Sequence, residues 1–118
     1  MKLVRFGPTG AEKPGLLDAA GQLRNLSGHI ADITGATLGD ASIAKLQALD
    51  PTSLPLVTNG QRIGPCVGNI GKFLCIGLNY SDHAAETGAK IPEHPILFFK
   101  ANSAIVGAYD DVVMPRGS

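Results

Sequence analysis

Short runs in which apolar and polar residues alternate occupy the first part of the chain. Three of these runs predict strands. They are residues 3–6, 15–18 and 24–26. Because turn residues separate the runs, they predict a small antiparallel meander. Ile43, Leu46 and Leu49 then recur every third residue, which predicts the apolar stripe of one short helix.

The pattern becomes irregular after this helix. Proline and glycine interrupt residues 50–72 repeatedly, which predicts a linker with one turn at Asn59-Gly60. Beyond the linker, alternation gives way to continuous apolar runs. We therefore expect two domains, a small N-terminal α+β domain at residues 1–65 and the start of a second domain at residues 66–118.

Two continuous apolar runs, residues 73–76 and 96–99, mark the second domain. Runs of this kind are typical of strands that are buried on both faces. A short helix is expected between them at residues 81–86, closed by Gly88. Weaker strand candidates follow at residues 103–106 and 111–113. Helices and antiparallel strands in this order predict an α+β fold.

The composition narrows the class of protein. Lys and Arg together number 10, as do Asp and Glu, so a formal net charge of zero gives no reason to expect nucleic acid or an anionic membrane as a partner. No apolar run approaches the length of a membrane span. The start, residues 1–6, is too charged for a secretory signal, and Cys66 and Cys75 are expected as free thiols. We therefore predict a cytoplasmic protein.

Polar side chains cluster directly after the first continuous run. They are Asn79, Tyr80, Asp82, His83 and Glu86. His83 and Glu86 are three residues apart, so on a helix they share a face, where the carboxylate can orient the imidazole as a general base. The same pair is also typical of a solvated helix surface, and spacing alone does not decide between the two. The other histidines, His29 and His94, are isolated, and no role is predicted for them.

The segment from Gly77 to Glu86 resembles the signature Gly-x-Asn-Tyr-x-x-His-x-x-Glu of the fumarylacetoacetate hydrolase family. Three later parts of the chain are similar to that family in order and spacing, and they are residues 95–100, residues 103–107 and Met114-Pro115. The resemblance extends over residues 61–118. Residues 1–60 resemble the variable N-terminal extension of the longer bacterial members, which are called ureidoglycolate lyases and 2,4-diketo-3-deoxy sugar acid hydrolases.

The resemblance implies a fold and a reaction. Residues 66–118 would form the first strands of a mixed β-sheet catalytic domain. The enzyme would be a hydrolase or lyase that cleaves a carbon–carbon bond of a 2-oxo or 2,4-diketo acid, as an acylpyruvase does, or that acts on ureidoglycolate. Such enzymes use Mg²⁺ or Mn²⁺, and the full-length protein is expected to be a homodimer with a catabolic role.

The resemblance also implies roles for individual residues. His83 and Glu86 match the catalytic dyad, and Lys100 matches a lysine that stabilises oxyanion charge. Substrate-binding residues are expected at Asn79, Tyr80 and Asp82. On the residues alone, Lys100 can also be a solvated strand end and Asp82 a helix N-terminal acid, while Asn79 can serve an unusual turn.

The family's metal ligands, a Glu-x-Glu pair and an Asp, follow its Met-Pro motif. Only Arg116, Gly117 and Ser118 follow Met114-Pro115 here, so no metal ligand is predicted within the chain and the ligands are expected beyond Ser118. We therefore expect the N-terminal portion of an enzyme, inactive and poorly stable by itself. The alternative is a non-catalytic N-terminal module that packs on or covers a partner chain.

Overall fold

A computed structural model describes residues 1–58 and 60–117. The chain divides into two compact units: unit 1 contains Met1–Asn69 and the segment from Val106 onward, and unit 2 contains Ile70–Ile105. Helices and antiparallel sheets occur together, which confirms the α+β class. The division into domains at residues 1–65 and 66–118 stays a prediction. The predicted turn at Asn59-Gly60 lies in part outside the described residues.

The predicted meander forms the sheet of unit 1. Its strands are β1 (Lys2–Phe6), β2 (Lys13–Leu17) and β3 (Leu23–Asn25), antiparallel in the order β1-β2-β3. Asp18 builds the turn between β2 and β3, because its Oδ1 accepts from the N–H groups of Ala20 and Gln22 at 3.0 and 2.8 Å. Gly21 takes a φ of +77° within this turn. Local turn chemistry therefore sets the register of the second hairpin.

Leucine side chains form the core of unit 1. The buried cluster consists of Leu16, Leu26, Leu46 and Leu54. Leu46 comes from helix α1 (Asp40–Gln47), and the half-buried Leu49 packs against the cluster just beyond the end of that helix. Two residues of the predicted apolar stripe, Leu46 and Leu49, therefore face the core. Asp40 lies in the first turn of α1, where a carboxylate interacts favourably with the helix dipole.

The described residues of the stretch predicted as a linker form one short 3-10 helix, Pro51–Ser53, and the stretch pairs with both outer strands of the sheet. Leu56 forms a bridge to Arg24 in β3, and Ile63 forms a bridge to Phe6 in β1. The N–H of Gly7 donates to the Arg62 carbonyl at 2.9 Å beside the second bridge. Unpaired edge strands are liable to associate with other chains. By pairing with both edges, this stretch protects the sheet from such association and also continues the chain towards unit 2.

Two arginines and three carboxylates form one connected cluster in unit 1, which we call the arginine network. Its members are Arg5, Glu12, Asp32, Arg62 and Asp110. Arg5 donates to both oxygens of Asp32 at 2.7 and 3.0 Å, and Arg62 donates to both oxygens of Asp110 at 2.7 and 2.5 Å. Glu12, whose side chain is only 6% exposed, joins them, 2.8 Å from Arg62 and 3.6 Å from Arg5.

The network lowers the pKa values of two of its carboxyl groups, those of Glu12 and Asp110. The hydrogen bond from Arg62 lowers the pKa of Glu12 below its ordinary value of 4.5. The same guanidinium, together with the Gly107 N–H, lowers the pKa of Asp110 below 3.8. Asp110 and then Glu12 raise the pKa of Arg62 in return. Glu12 and Asp110 are therefore more acidic in the folded chain than in the unfolded chain.

We expect the stability of unit 1 to depend on pH in the acidic range. Because these carboxyl groups have lowered pKa values when folded, their contribution is fully present above the unfolded values of about 4 and is lost as the pH falls through the folded values. The midpoint of thermal unfolding should be level above about pH 5 and should drop below about pH 4. In Glu12→Gln and Asp110→Asn chains the acid-induced drop should be smaller. An unchanged pH dependence in both variants would contradict this account.

Unit 2 is built on a two-stranded sheet. Strand β4 (Phe73–Gly77) pairs antiparallel with β5 (Ile96–Lys100), and helix α2 (Ser81–Glu86) lies between them in sequence. Both strands were predicted, but their burial on both faces is not observed among the described residues. The cross-strand pairs Leu74–Phe99 and Ile76–Leu97 lie on one face of the sheet, and all four side chains are exposed.

The two weaker strand predictions are wrong. Residues 102–104 form a 3-10 turn, in which the Ala104 N–H donates to Ala101 and the Asn102 side chain donates to the Ile70 carbonyl at 2.8 Å. Residues 111–113 are exposed and belong to no strand. Apolar residues alone do not make a strand, because the backbone needs a partner with which to form a ladder.

Candidate functional site

The candidate site begins where β4 ends. Gly77 is the last residue of the strand, and Leu78 follows it with a φ of +46°, in the left-handed region that a leucine rarely adopts. Asn79 and Tyr80 come next, and both are exposed. A strained backbone at such a position costs free energy and is commonly found at sites of binding or catalysis.

Helix α2 presents the predicted dyad. The helix buries Ala84, whereas His83 and Glu86 are both exposed. Their side chains make no hydrogen bond or ion pair with each other in the described part of the chain. Side chains three residues apart on a helix are neighbours, however, and hydrogen bonds between catalytic groups are often long before substrate binds. The arrangement therefore allows the pair to form.

Side-chain and backbone hydrogen bonds stabilise both ends of the short helix α2. Asp82 Oδ1 accepts from the His83 N–H at 2.8 Å in the first turn. At the other end, Gly88 has a φ of +67°, and the Ala89 N–H donates to the Ala84 carbonyl at 2.9 Å. These are features of a Schellman motif, so the predicted end of the helix at Gly88 is confirmed. The hydroxyl of Thr87 also donates to the His83 carbonyl at 3.0 Å.

Lys100 lies at the other end of the sheet. The register pairs Lys100 with Phe73, whereas Gly77, which leads into the polar loop, pairs with Ile96. Four residues of strand, about 13 Å, separate the two ends. The Lys100 Nζ lies 6.0 Å from the centre of the Phe73 ring, a cation–π contact. Unit 2 therefore groups Asn79 and Tyr80 at one end of the sheet and places Lys100 at the opposite end.

A cleft of about 410 Å³ opens beside the strained loop. Its volume lies within the range typical of small-molecule sites. The residues that line it are Ile76, Gly77, Leu78, Asn79, Ile91, Pro92, Glu93, His94 and Pro95. Asn79 is its one member from the predicted substrate-binding set. Glu93 and His94 supply the other polar side chains, and sequence reasoning missed both because each stands apart from any motif.

The described residues do not form a metal site by themselves. Within residues 1–58 and 60–117, no three His, Cys, Asp or Glu side chains are grouped closely enough to hold a metal ion. Over the same residues, no helix has both the length and the apolar character needed to cross a membrane. Both cysteines are free thiols, as predicted.

Comparison with known proteins relates the later part of the chain to one family. Residues 72–118 match the family described as "Fumarylacetoacetate (FAA) hydrolase C-terminal". This match contains both strands of unit 2, helix α2 and the exposed pair His83 and Glu86. It also contains Asp110 of unit 1, whereas Arg62 lies outside it.

The whole chain is also similar to longer bacterial proteins. It is 55% identical over 118 residues to a protein of Burkholderia cenocepacia strain HI2424 and to one of Burkholderia multivorans, and 54% identical to one of Burkholderia lata. Each of the three has a name that begins "Putative hydrolase". The match covers all of this chain but only 42% of each relative, so the chain spans about two fifths of their length.

Proposed function

We propose, from the premise that residues 72–118 belong to the fumarylacetoacetate hydrolase family, that the chain is the motif-bearing part of a hydrolase. The substrate that we propose is a 2-oxo or 2,4-diketo acid of the acylpyruvate type, cleaved at a carbon–carbon bond. The observation that carries the proposal is the exposed His83–Glu86 pair on α2, directly after the strained loop at the end of β4. The names of the Burkholderia relatives agree with a hydrolase.

In the proposed reaction, His83 first accepts a proton and later returns it. The His83 imidazole takes a proton from water while the water oxygen adds to the acyl carbonyl carbon of the substrate. The carbon–carbon bond then breaks, and its electron pair passes to the pyruvate fragment as an enolate. His83 returns the proton to that fragment, which leaves a 2-oxo acid and a carboxylic acid, and the carboxylic acid then loses its own proton to the solvent. Glu86 is proposed to stabilise the imidazolium between the two steps, as a carboxylate beside a catalytic histidine does.

The roles that we propose for the other predicted site residues follow from their positions in unit 2. Asn79 lines the cleft, so its amide can donate to a substrate carboxylate or keto oxygen there. Tyr80 is proposed to form part of the wall of the site, and Asp82 to orient the start of α2. Lys100 remains a candidate for stabilising oxyanion charge, although its place at the far end of the sheet separates it from the strained loop.

Members of this family generally depend on a divalent metal ion. We propose Mg²⁺ or Mn²⁺ for the whole protein, with ligands in the part that the relatives possess beyond the matched 42% of their length. The described residues do not form that metal site, and the proton transfers proposed for His83 do not pass through the ion. The homodimer and the cytoplasmic location also stay predictions.

The experiment compares two proteins. One is the 118-residue chain, and the other is a hybrid in which this chain replaces the matched segment of the Burkholderia cenocepacia relative. We expect the hybrid to hydrolyse an acylpyruvate in the presence of Mg²⁺ and to lose that activity in EDTA. The isolated chain should show no turnover, because the residues that the structure describes do not form a site for the ion. Turnover of the isolated chain at the rate of the hybrid would contradict the proposal.

A second candidate function rests on the exposed apolar face of the β4–β5 sheet. Leu74, Ile76, Leu97 and Phe99 together present a surface of the kind that packs against another layer. A non-catalytic module that covers a partner chain would use such a face. The hybrid distinguishes the two functions, because a covering module predicts no metal-dependent turnover of any 2-oxo acid in that protein.

A further inference from the structure

Two parts of unit 1 flank, in sequence, the segment that carries the candidate site. The chain leaves unit 1 after Asn69, forms unit 2 from Ile70 to Ile105, and returns to unit 1 at Val106. We call residues 65–68 the outgoing segment and residues 107–110 the returning segment. Both contact the arginine network.

The outgoing segment lies against the Arg5–Asp32 ion pair. Arg5 Nη1 donates to the Pro65 carbonyl at 3.3 Å, and the Gly68 N–H donates to the Ile33 carbonyl at 2.7 Å. A side chain at Gly68 would collide with the Asp32 carboxylate and the Arg5 guanidinium. The absence of a side chain at Gly68 therefore allows the outgoing backbone to pack directly on the network.

Arg62 holds the returning segment through Asp110. The planar guanidinium donates in a two-pronged arrangement to both Asp110 oxygens, at 2.7 and 2.5 Å. Asp110 Oδ2 in turn accepts from the Gly107 N–H at 2.6 Å, which closes the turn. Gly107 is buried, and a side chain there would collide with the Ile63 carbonyl. Backbone and side chains therefore fix the same four residues.

Glu12 connects the two anchor points. Its carboxylate lies between Arg62, at 2.8 Å, and Arg5, at 3.6 Å, and it also accepts from the Gly10 N–H at 3.1 Å. Exposed ion pairs usually contribute little to stability, but two-pronged geometry and membership of a network are the exceptions. The side chains here are mostly covered, since Arg62 is 24% exposed and Asp110 22%.

We propose that Arg62 is a positioning residue for the reaction. By holding Asp110 directly, and Arg5 through Glu12, it holds together the outgoing and returning segments between which the His83–Glu86 motif is carried. This role rests on the proposed hydrolase function. It also gives residues 1–69 a part in that function, because Arg62 lies outside the segment that matches the family whereas Asp110 lies inside it.

The first measurement is amide hydrogen exchange on the 118-residue chain, which needs no activity. Arg62→Ala and Asp110→Asn should each speed exchange at the Gly107 and Asp110 amides by about tenfold or more, because the turn loses its anchor. Asp111→Asn is the matched control, since Asp111 is an exposed neighbour without an ion pair among the described residues, and should change exchange less than about twofold. The core amide of Leu26, which donates to the Pro14 carbonyl, should stay protected throughout. A uniform loss of stability would instead speed exchange at both places.

The second measurement is turnover in the hybrid. Arg62→Ala and Asp110→Asn should lower kcat by about 10- to 100-fold, corrected for the folded fraction, with KM changed less than about threefold. Arg62→Lys should recover part of the loss, because it restores the charge but not the two-pronged contact. Fast exchange at Gly107 with kcat unchanged would overturn the positioning role. Unchanged exchange in both variants would overturn the anchoring itself, and an inactive wild-type hybrid would overturn the proposed function together with the role that rests on it.

Discussion

Replacing His83 with alanine should reduce the turnover of an acylpyruvate by the hybrid by about 10²- to 10⁴-fold, the range typical of a lost general base. The imidazole is exposed on α2, so its removal costs no core packing and the fold should be unchanged. The effect should fall on kcat, while KM changes little, because the proton transfer belongs to the transition state. Steady-state kinetics with circular dichroism on the same sample would measure both.

Glu86→Gln tests whether the two side chains act as a pair. The amide keeps the size of the carboxylate but removes the charge that is proposed to stabilise the imidazolium. The single change should lower kcat, and the double variant with His83→Ala should be little worse than His83→Ala alone, because residues that act as one unit are not additive. His29→Ala, an exposed histidine of unit 1, is the control and should leave kcat unchanged. Additive losses would indicate that Glu86 acts independently of His83.

Truncating Leu26 to alanine should destabilise unit 1 by about 2–5 kcal/mol. Leu26 is 0% exposed and belongs to the leucine cluster that unites the sheet with α1, so its removal leaves a cavity. At about 4–8 °C per kcal/mol for a unit of this size, the midpoint of thermal unfolding should fall by about 8–40 °C. Differential scanning calorimetry on the 118-residue chain would measure the shift.

Leu56→Ala provides the matched control for that loss. Leu56 is also a leucine in unit 1 and also lies beside β3, but its side chain is 56% exposed. Its truncation should change the free energy of unfolding by no more than about 0.5 kcal/mol. If both truncations lowered the midpoint equally, the four-leucine cluster would not be the core on which unit 1 depends.

The sequence alone was sufficient for elements whose signals are local. The three strands of the meander follow from alternation and turn residues, and α1 follows from the spacing of Leu46 and its neighbours. Helix α2 ends where Gly88 predicted, because a left-handed residue is needed to close a Schellman motif and glycine adopts that conformation at little cost. The resemblance of residues 72–118 to the fumarylacetoacetate hydrolase family was also recognisable, since the motif that carries it is a contiguous run of residues.

Some features of the candidate site depended on the backbone path and were not predictable. Nothing in the identity of Leu78 indicates a left-handed conformation, because leucine rarely adopts one unless the surrounding structure imposes it. His94 was isolated in sequence, yet it lines the same cleft as Asn79. Lys100 matched the motif by order, but the antiparallel register of β5 with β4 placed it at the far end of the sheet.

Contacts between distant residues were decided by tertiary structure alone. Arg5 and Asp32 are 27 positions apart, and Arg62 and Asp110 are 48 apart, so no periodicity or turn signal relates them. Residues 111–113 have the composition of a strand, but no other strand that the structure describes pairs with them. The segment from Val106 onward belongs to unit 1, where Asp110 binds Arg62. Ion pairs and ladders need two partners brought together by the whole chain, whereas turns and helix ends need only a few neighbouring residues.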